Sequence, residues 1–487
     1  MARIILNPEV SKGNINKNIF GQFSEHLGHC IYEGIYVGED SSIPNTRGIR
    51  NDVVSALKHI RVPVLRWPGG CFADEYHWED GVGPKENRKR MVNNNWGGVV
   101  EDNSFGTHEF LDLCAQIGCE PYICGNVGSG TVREMAEWIE YINSPADSSV
   151  AQKRWQNGRK EPWQVRYWGV GNENWGGGGN MRAEYYSDVY RRYATYCRNF
   201  TDKPLYRIAC GPSSGDYHWM ETLMQRAAPL FEGISLHHYT IPTGDWGKKG
   251  SATGFGLDEY YSTLAQTRYM DELITKHSAI MDRYDPEKKK GLMVDEWGIW
   301  TEVEPGTNPG FLYQQNTMRD ALLAAVNFDI FAAHCDRVQM ANIAQMVNVL
   351  QAMILTRGEK MLLTPTYYVF DLYKAHQDAR QIDTCVLCDT VGEGKWHTGQ
   401  LSACASQKDG KTTLTLSNLS ATDALSVSVE GINVTEVKGQ ILSGAYNQYN
   451  DFDRSELMIR DFDGAKVKEG KLTVKLPPCA VAALEIS

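Results

Sequence analysis

The stretch Val165-Arg166-Tyr167-Trp168-Gly169-Val170-Gly171-Asn172-Glu173-Asn174-Trp175 reads as a short strand that runs straight into a polar turn carrying a carboxylate. The same grammar recurs on both sides of it. Upstream, Asn18 to Phe23 leads into Glu25, Val62 to Trp67 into Pro68-Gly69-Gly70-Cys71, and Glu120 to Cys124 into Gly125-Asn126. Downstream, Tyr206 to Cys210 precedes Gly211-Pro212, Ile234 to Leu236 precedes His237-His238-Tyr239, Leu292 to Val294 precedes Asp295-Glu296-Trp297, and Val338 to Ala341 precedes Asn342. Between these runs lie stretches with helical spacing, among them Asn51 to His59, Thr107 to Ile117, Val132 to Ile142, Ala183 to Phe200 and Tyr313 to Ala333. Strand followed by helix, eight times over, points to an α/β fold of the (β/α)8 TIM-barrel kind. An open doubly wound sheet alternates in the same way, so closure of the barrel is an inference at this stage. Barrel enzymes draw their chemistry from the C-terminal ends of the strands, where Glu25, Arg66, Asn172, Glu173, His237, Tyr239 and Glu296 fall.

Beyond about Asp378 the pattern changes to period two, in Thr412 to Leu416, Leu425 to Val429, Leu472 to Leu476 and Val481 to Ile486, with Gly, Asn and Asp at the breaks. This is the signature of a small all-β domain. The strand-like opening, Arg3 to Leu6, precedes the first barrel strand and is expected to add an edge strand to it. The expected organisation is a catalytic barrel over residues 18–377, and a jelly-roll-like β-sandwich of residues 1–17 plus 378–487. No fixed-period repeat, low-complexity tract or long linker interrupts the chain.

Composition narrows the function classes. With 49 Lys and Arg against 60 Asp and Glu over 487 residues, the net charge of −11 offers no general attraction to nucleic acid or to anionic lipid. The densest basic stretch, Lys85 to Arg90, is short, contains Glu86, and reads as a solvated loop. No run reaches the ~18 apolar residues of a membrane span, and Met1 to Val10 carries no export signal, so a cytoplasmic protein is expected. The 12 cysteines are scattered through a large chain, which fits reduced thiols. Cys385 and Cys388 have CxxC spacing without a second pair or a redox context. Without HExxH or clustered Cys and His, neither a metal nor another cofactor is expected. The glycines at 176 to 179 lack the GK[ST] of a phosphate loop and read as a tight turn or a close backbone approach to substrate. Gly244 to Gly256, with Trp246 and Phe255, reads as a long loop after the sixth strand that either shapes a cleft or covers the surface.

Hydrolysis of a glycosidic bond needs one carboxylic acid to protonate the leaving oxygen and one carboxylate to attack or to activate water. Glu173 and Glu296, at the ends of different strands, supply two such groups, although a strand-end Glu also serves as a structural acceptor. Other single-residue readings stay open. Arg66 could be a buried ion-pair partner, Cys71 a small packing residue, and of the adjacent His237 and His238 one should face inward and the other into packing.

The ordered set Gly21-Gln22-Phe23-Ser24-Glu25-His26-Leu27-Gly28, Leu65-Arg66-Trp67-Pro68-Gly69-Gly70-Cys71, Gly171-Asn172-Glu173-Asn174, Leu236-His237-His238-Tyr239 and Asp295-Glu296-Trp297 resembles the α-L-arabinofuranosidases of glycoside hydrolase family 51. Asn126-Val127-Gly128-Ser129-Gly130-Thr131-Val132 and Asn342-Ile343-Ala344-Gln345 extend the likeness, which runs from about residue 2 to the C-terminus. The resemblance implies a clan A barrel, a retaining double displacement, and a C-terminal β-sandwich completed by the N-terminal strand. It implies Glu173 as acid/base and Glu296 as nucleophile. It also implies that Glu25, Arg66, Asn172, Tyr239 and Gln345 hold the furanose, with Cys71 close to the sugar, His237 on the nucleophile side, and Trp96 and Trp300 lining the cleft. Gln351 lies close enough in sequence to compete with Gln345. His238 stands where the family pattern calls for Tyr, which bears on the outer wall. The implied activity is exo-hydrolysis of terminal α-L-arabinofuranosyl residues from arabinoxylan- or arabinan-derived oligosaccharides by a homo-oligomer, a hexamer built as a trimer of dimers. The alternatives are another clan A retaining glycosidase, a β-xylosidase or endo-β-glucanase, or a catalytically dead carbohydrate-binding barrel.

Overall fold

The computed structural model describes residues 2–487. Eight parallel strands, Gly21–Phe23, Val64–Trp67, Glu120–Gly125, Tyr167–Val170, Tyr206–Ala209, Gly233–Thr240, Gly291–Ile299 and Val338–Ile343, close into a barrel in chain order. Closure is visible where Asn342 pairs with Gly21, and it excludes the open-sheet alternative. The first expected strand is shorter than its apolar run. Asn16 accepts the N–H of Asn18 at 2.9 Å, and this local bond winds Lys17–Phe20 into a 3-10 turn. The helices carry local stop and start signals. Thr131 caps Val132–Asn143 by accepting from Glu134 N–H, and Gly118 ends Thr107–Ile117 with φ 85°.

The C-terminal segment forms a ten-stranded sheet in which Ala2–Asn7 lies between Arg380–Leu387, antiparallel, and Leu425–Glu430, parallel. The N-terminal strand is therefore internal to the sheet, whereas an edge position was expected. An internal place satisfies its backbone groups on both sides. Arg380–Leu387 pairs with Leu401–Lys408 through Arg380 to Ile382 and with the N-terminal strand through Asp383 to Leu387, so it passes from one layer to the other. Alternation buries Leu472, Val474 and Leu476 and exposes the residues between them. These side chains pack with Ile4, Leu414, Leu416, Val427 and Leu484 in a core of apolar groups.

One helix, Met318–Ala333, sits between the two bodies. It packs on the barrel strand Gly291–Ile299 and on the sheet strand Leu401–Lys408, and nearly all of its length is buried. That explains its weak amphipathicity: a helix with neighbours on all sides needs no polar face. Its Asp329 accepts from Ser402 at 2.5 Å and Tyr373 at 2.8 Å. No helix of the described residues is long and apolar enough to cross a membrane.

Candidate active site

The strand ends converge on one charged cluster. Arg66 is 1% exposed; Nη1 donates to Glu296 Oε1 at 2.8 Å and to the Asp295 carbonyl at 3.1 Å, and Nη2 donates to Asn172 Oδ1 at 2.5 Å. Tyr239 donates its hydroxyl proton to Glu296 Oε2 at 2.9 Å. Both carboxylate oxygens of Glu296 are thus held, and the side chain is aimed from beneath at the cleft floor. Arg66 is at once a buried ion-pair partner and a member of the site, so its two readings are compatible.

Glu173 approaches from the facing strand. Its φ of 44° is the left-handed region, which costs a non-glycine residue on the order of 1–3 kcal/mol and persists only where the surroundings enforce it. Buried Asp74 enforces it: one carboxylate oxygen takes the N–H groups of Val127 and Gly128 at 2.7 and 2.8 Å, and the other takes those of Asn172 and the Asn174 amide at 2.9 and 3.2 Å. Burial raises the Asp74 carboxyl to about 7 against the opposing pull of these donors. Within the glycine run, a Cβ on Gly178 would stand 2.1 Å from the Asn172 carbonyl oxygen, so the run is a tight turn folded under the Glu173 segment.

His237 joins the two carboxylates. Its Nδ1 lies 2.8 Å from Glu173 Oε1 and 3.5 Å from Glu296 Oε2, while Nε2 lies 3.1 Å from Asp295 Oδ1. Burial disfavours its charge, but Glu296, Asp295 and Glu173 together outweigh that and push it up to about 10. For Asp295 burial would raise the carboxyl, yet Arg66, His237 and Tyr122 hold it below its ordinary range. One ligand atom from each of Glu173, His237 and Glu296 falls within 4.8 Å of the others, a spacing that could surround a cation. In this structure the same three side chains form an ion-pair network centred on His237.

At the blind end of the cleft, Glu25 accepts from Phe72 N–H at 3.0 Å, Trp96 Nε1 at 2.9 Å and Gln345 Nε2 at 2.9 Å. Burial first, then the charge of Glu296, raises it to about 7. Gln345 keeps its carbonyl oxygen unpartnered. Gln351 is spent elsewhere, receiving Ile299 N–H and donating to the Asp320 carbonyl and Thr366, which separates the two glutamines. Cys71 Sγ stands 3.8 Å from Glu173 Oε2. Trp96 and Trp300 line the cleft, whose volume is about 890 Å³, and Trp246 of the long loop packs on Trp300 at 5.1 Å. His237 and His238 both line it, where only one of the pair was expected to face inward, and His238 stands in its wall as the family pattern implied. Ser214 holds His238 Nδ1 at 2.8 Å.

Asp74, Asp295 and Trp396 were not anticipated. The two aspartates left a trace, because an acid inside an apolar strand or turn must find partners when buried. Trp396 left none; it reaches the cleft from the C-terminal segment.

A parallel barrel whose C-terminal mouth brings two glutamates together has the layout of a glycoside hydrolase. Family models described as the α-L-arabinofuranosidase 1 domain and the α-L-arabinofuranosidase C-terminal domain match residues 56–212 and 295–480. An intracellular exo-α-L-arabinofuranosidase of Bacteroides ovatus is 52% identical, with 100% of this chain and 95% of that protein covered. The crystal structure of the family 51 arabinofuranosidase of Xanthomonas axonopodis pv. citri superposes with a TM-score of 0.98 at 51% identity, covering 100% and 99% of the chains. That of the Thermotoga maritima α-L-arabinofuranosidase, an arabinose complex, gives 0.87 at 31%, covering 100% and 99%. The chain belongs to the α-L-arabinofuranosidases of glycoside hydrolase family 51.

Proposed function

We propose that this chain is an exo-acting, retaining α-L-arabinofuranosidase that removes terminal non-reducing arabinofuranosyl residues from arabinoxylan- or arabinan-derived oligosaccharides. The observation that carries it is the approach of Glu173 and Glu296 to within 4.8 Å through single oxygens. Retaining enzymes hold their carboxyl groups roughly 5–5.5 Å apart, whereas inverting ones leave roughly 6.5–9.5 Å for a water. Glu296, steadied by Arg66 and Tyr239, attacks the anomeric carbon as Glu173 gives a proton to the departing glycosidic oxygen. The glycosyl ester on Glu296 is then opened by a water from which Glu173 takes the proton, and the starting protonation states are restored. Charged His237, within reach of both Glu296 and Asp295, offsets the repulsion between those two carboxylates and keeps Nδ1 beside Glu173.

Glu25, Arg66, Asn172, Tyr239 and Gln345 hold the furanose in this reading, with Cys71 at its edge. The burial of Glu25, Arg66, Asn172 and Gln345 supports a pocket for one terminal sugar. Residues 18–377 act as the catalytic unit and 1–17 plus 378–487 as its β-sandwich partner. A cytoplasmic address fits the intracellular designation of the Bacteroides relative, and a hexamer is the assembly we expect. Proton NMR of arabinose released from an aryl α-L-arabinofuranoside tests the reading, with the α-furanose anomer expected first. First-formed β anomer overturns the mechanism, and no release overturns the substrate class.

A further inference from the structure

The cleft is larger than its catalytic end requires. Its volume of about 890 Å³ falls in the upper part of the roughly 300–1,000 Å³ that larger ligands fill, and much of its lining, Ser213, Ser214, Thr240, Ile241, Ala265 and Gln266, lies outside the set assigned to the terminal sugar. The outer part is walled by aromatic rings from three separate segments: Trp300 after the seventh barrel strand, Trp246 from the loop after the sixth, and Trp396. Trp396 lies in the C-terminal segment but outside its ten-stranded sheet. It opens the second strand of a hairpin, Thr390–Glu393 and Trp396–Gly399, inserted between the sheet strands Arg380–Leu387 and Leu401–Lys408. The hairpin forms a two-stranded sheet of its own, which is marginal alone, and it rests on the helix Leu257–Thr267.

If Trp396 served only to glue the hairpin to that helix, its ring would be buried there. It is instead half-buried: it packs in part on the apolar core and also lines the open cleft, as do Gln266 and Tyr269, with Lys395 Nζ 4.7 Å from its ring centroid. An aromatic ring in a largely apolar cleft wall matches the apolar face of a pyranose ring, and Ser213, Ser214 and the Gln266 carbonyl oxygen add polar groups to the same lining. We infer that Trp396 forms an aglycone subsite that stacks a sugar of the oligosaccharide backbone leaving the reaction, so that the β-rich segment contributes directly to substrate selection. The inference rests on the arabinofuranosidase reading and adds to it the side of the substrate that is not released.

The test compares an aryl α-L-arabinofuranoside, which fills only the catalytic end, with arabinose-substituted xylo-oligosaccharides of increasing backbone length, on the wild type, Trp396→Leu and Trp396→Phe. Removing the ring should lower kcat/KM on the longer oligosaccharides about tenfold, leave the aryl substrate within about twofold, and be largely rescued by Phe. An equal loss on both substrates by Trp396→Leu overturns the subsite in favour of a packing role, as does unchanged kcat/KM throughout. If Trp396→Leu fails to fold, Trp396→His decides: selective loss on long substrates supports the subsite, and an equal loss on both substrates, or none, overturns it. Failure of the underlying activity is separate, because it would show as a wild type inactive on the aryl substrate.

Discussion

The mouth of the barrel and the interior of the β-sheet domain follow opposite rules. The mouth buries Arg66, Asp74, His237, Asp295 and Glu296 in one hydrogen-bonded set, with Glu25 held beside it by its own donors, whereas the main cluster inside the sheet domain is aliphatic. Burying charge is expensive and gains little stability even when paired, as Arg319 with Asp320 and Arg337 with Asp285 do elsewhere in the barrel; at the mouth several such charges converge where transition-state charge is met by groups already in position. The sheet domain, free of that demand, buries area and gains stability by the ordinary hydrophobic route. The contrast teaches that activity and stability are largely housed in different layers of this chain and should be separable by mutation.

The largest effect expected is on the mouth. Glu296→Gln keeps the shape but removes the attacking charge, and steady-state assays should show kcat reduced by on the order of 10⁴ or more, with thermal stability unchanged or raised. Glu173→Ala should cost about 10²–10⁴, least on aryl glycosides whose leaving group needs little protonation. Full activity in either variant breaks the assignment. In the sheet core, Leu416→Ala should cost about 2–5 kcal/mol in denaturant unfolding while kcat of the folded fraction stays near that of the wild type. A proportionate fall in kcat would break the separation.

The smallest effect sharpens the comparison at the boundary. Burial raises Asp329 to about 7, against the pull of Ser402, Tyr373 and Arg268, on the helix that joins the two bodies. Because its folded value lies above its ordinary value of 3.8, its contribution to stability is fully present below that value and is lost as pH rises through about 7. Between pH 5.5 and 8.5 this one group should cost about 2 kcal/mol, a slope that Asp329→Asn removes. An unchanged slope in the variant would show that the boundary does not titrate.

Much of the fold was legible because its periods are local. The helices Asn51–His59 and Thr107–Ile117 and the sheet strands at 412–416 and 472–476 carry their spacing in the chain itself. Closure of the barrel was not, since a pairing of Asn342 with Gly21 spans the whole catalytic region. In the candidate site, the strand-end positions of Glu173 and Glu296 could be read from their turns. That both His237 and His238 reach the cleft is not announced by strand alternation, and Trp396 depends on a hairpin folding back over a helix more than a hundred residues earlier.

The placement of Ala2–Asn7 in the middle of the sheet has a consequence for synthesis. One of its partners, Leu425–Glu430, leaves the ribosome only after the whole barrel sequence has emerged. At roughly 5–20 residues per second this strand waits on the order of half a minute with its backbone groups unpaired while the barrel assembles beside it. Without it the sheet divides into a six-stranded and a three-stranded piece, so the barrel can be formed well before the sheet domain is able to close.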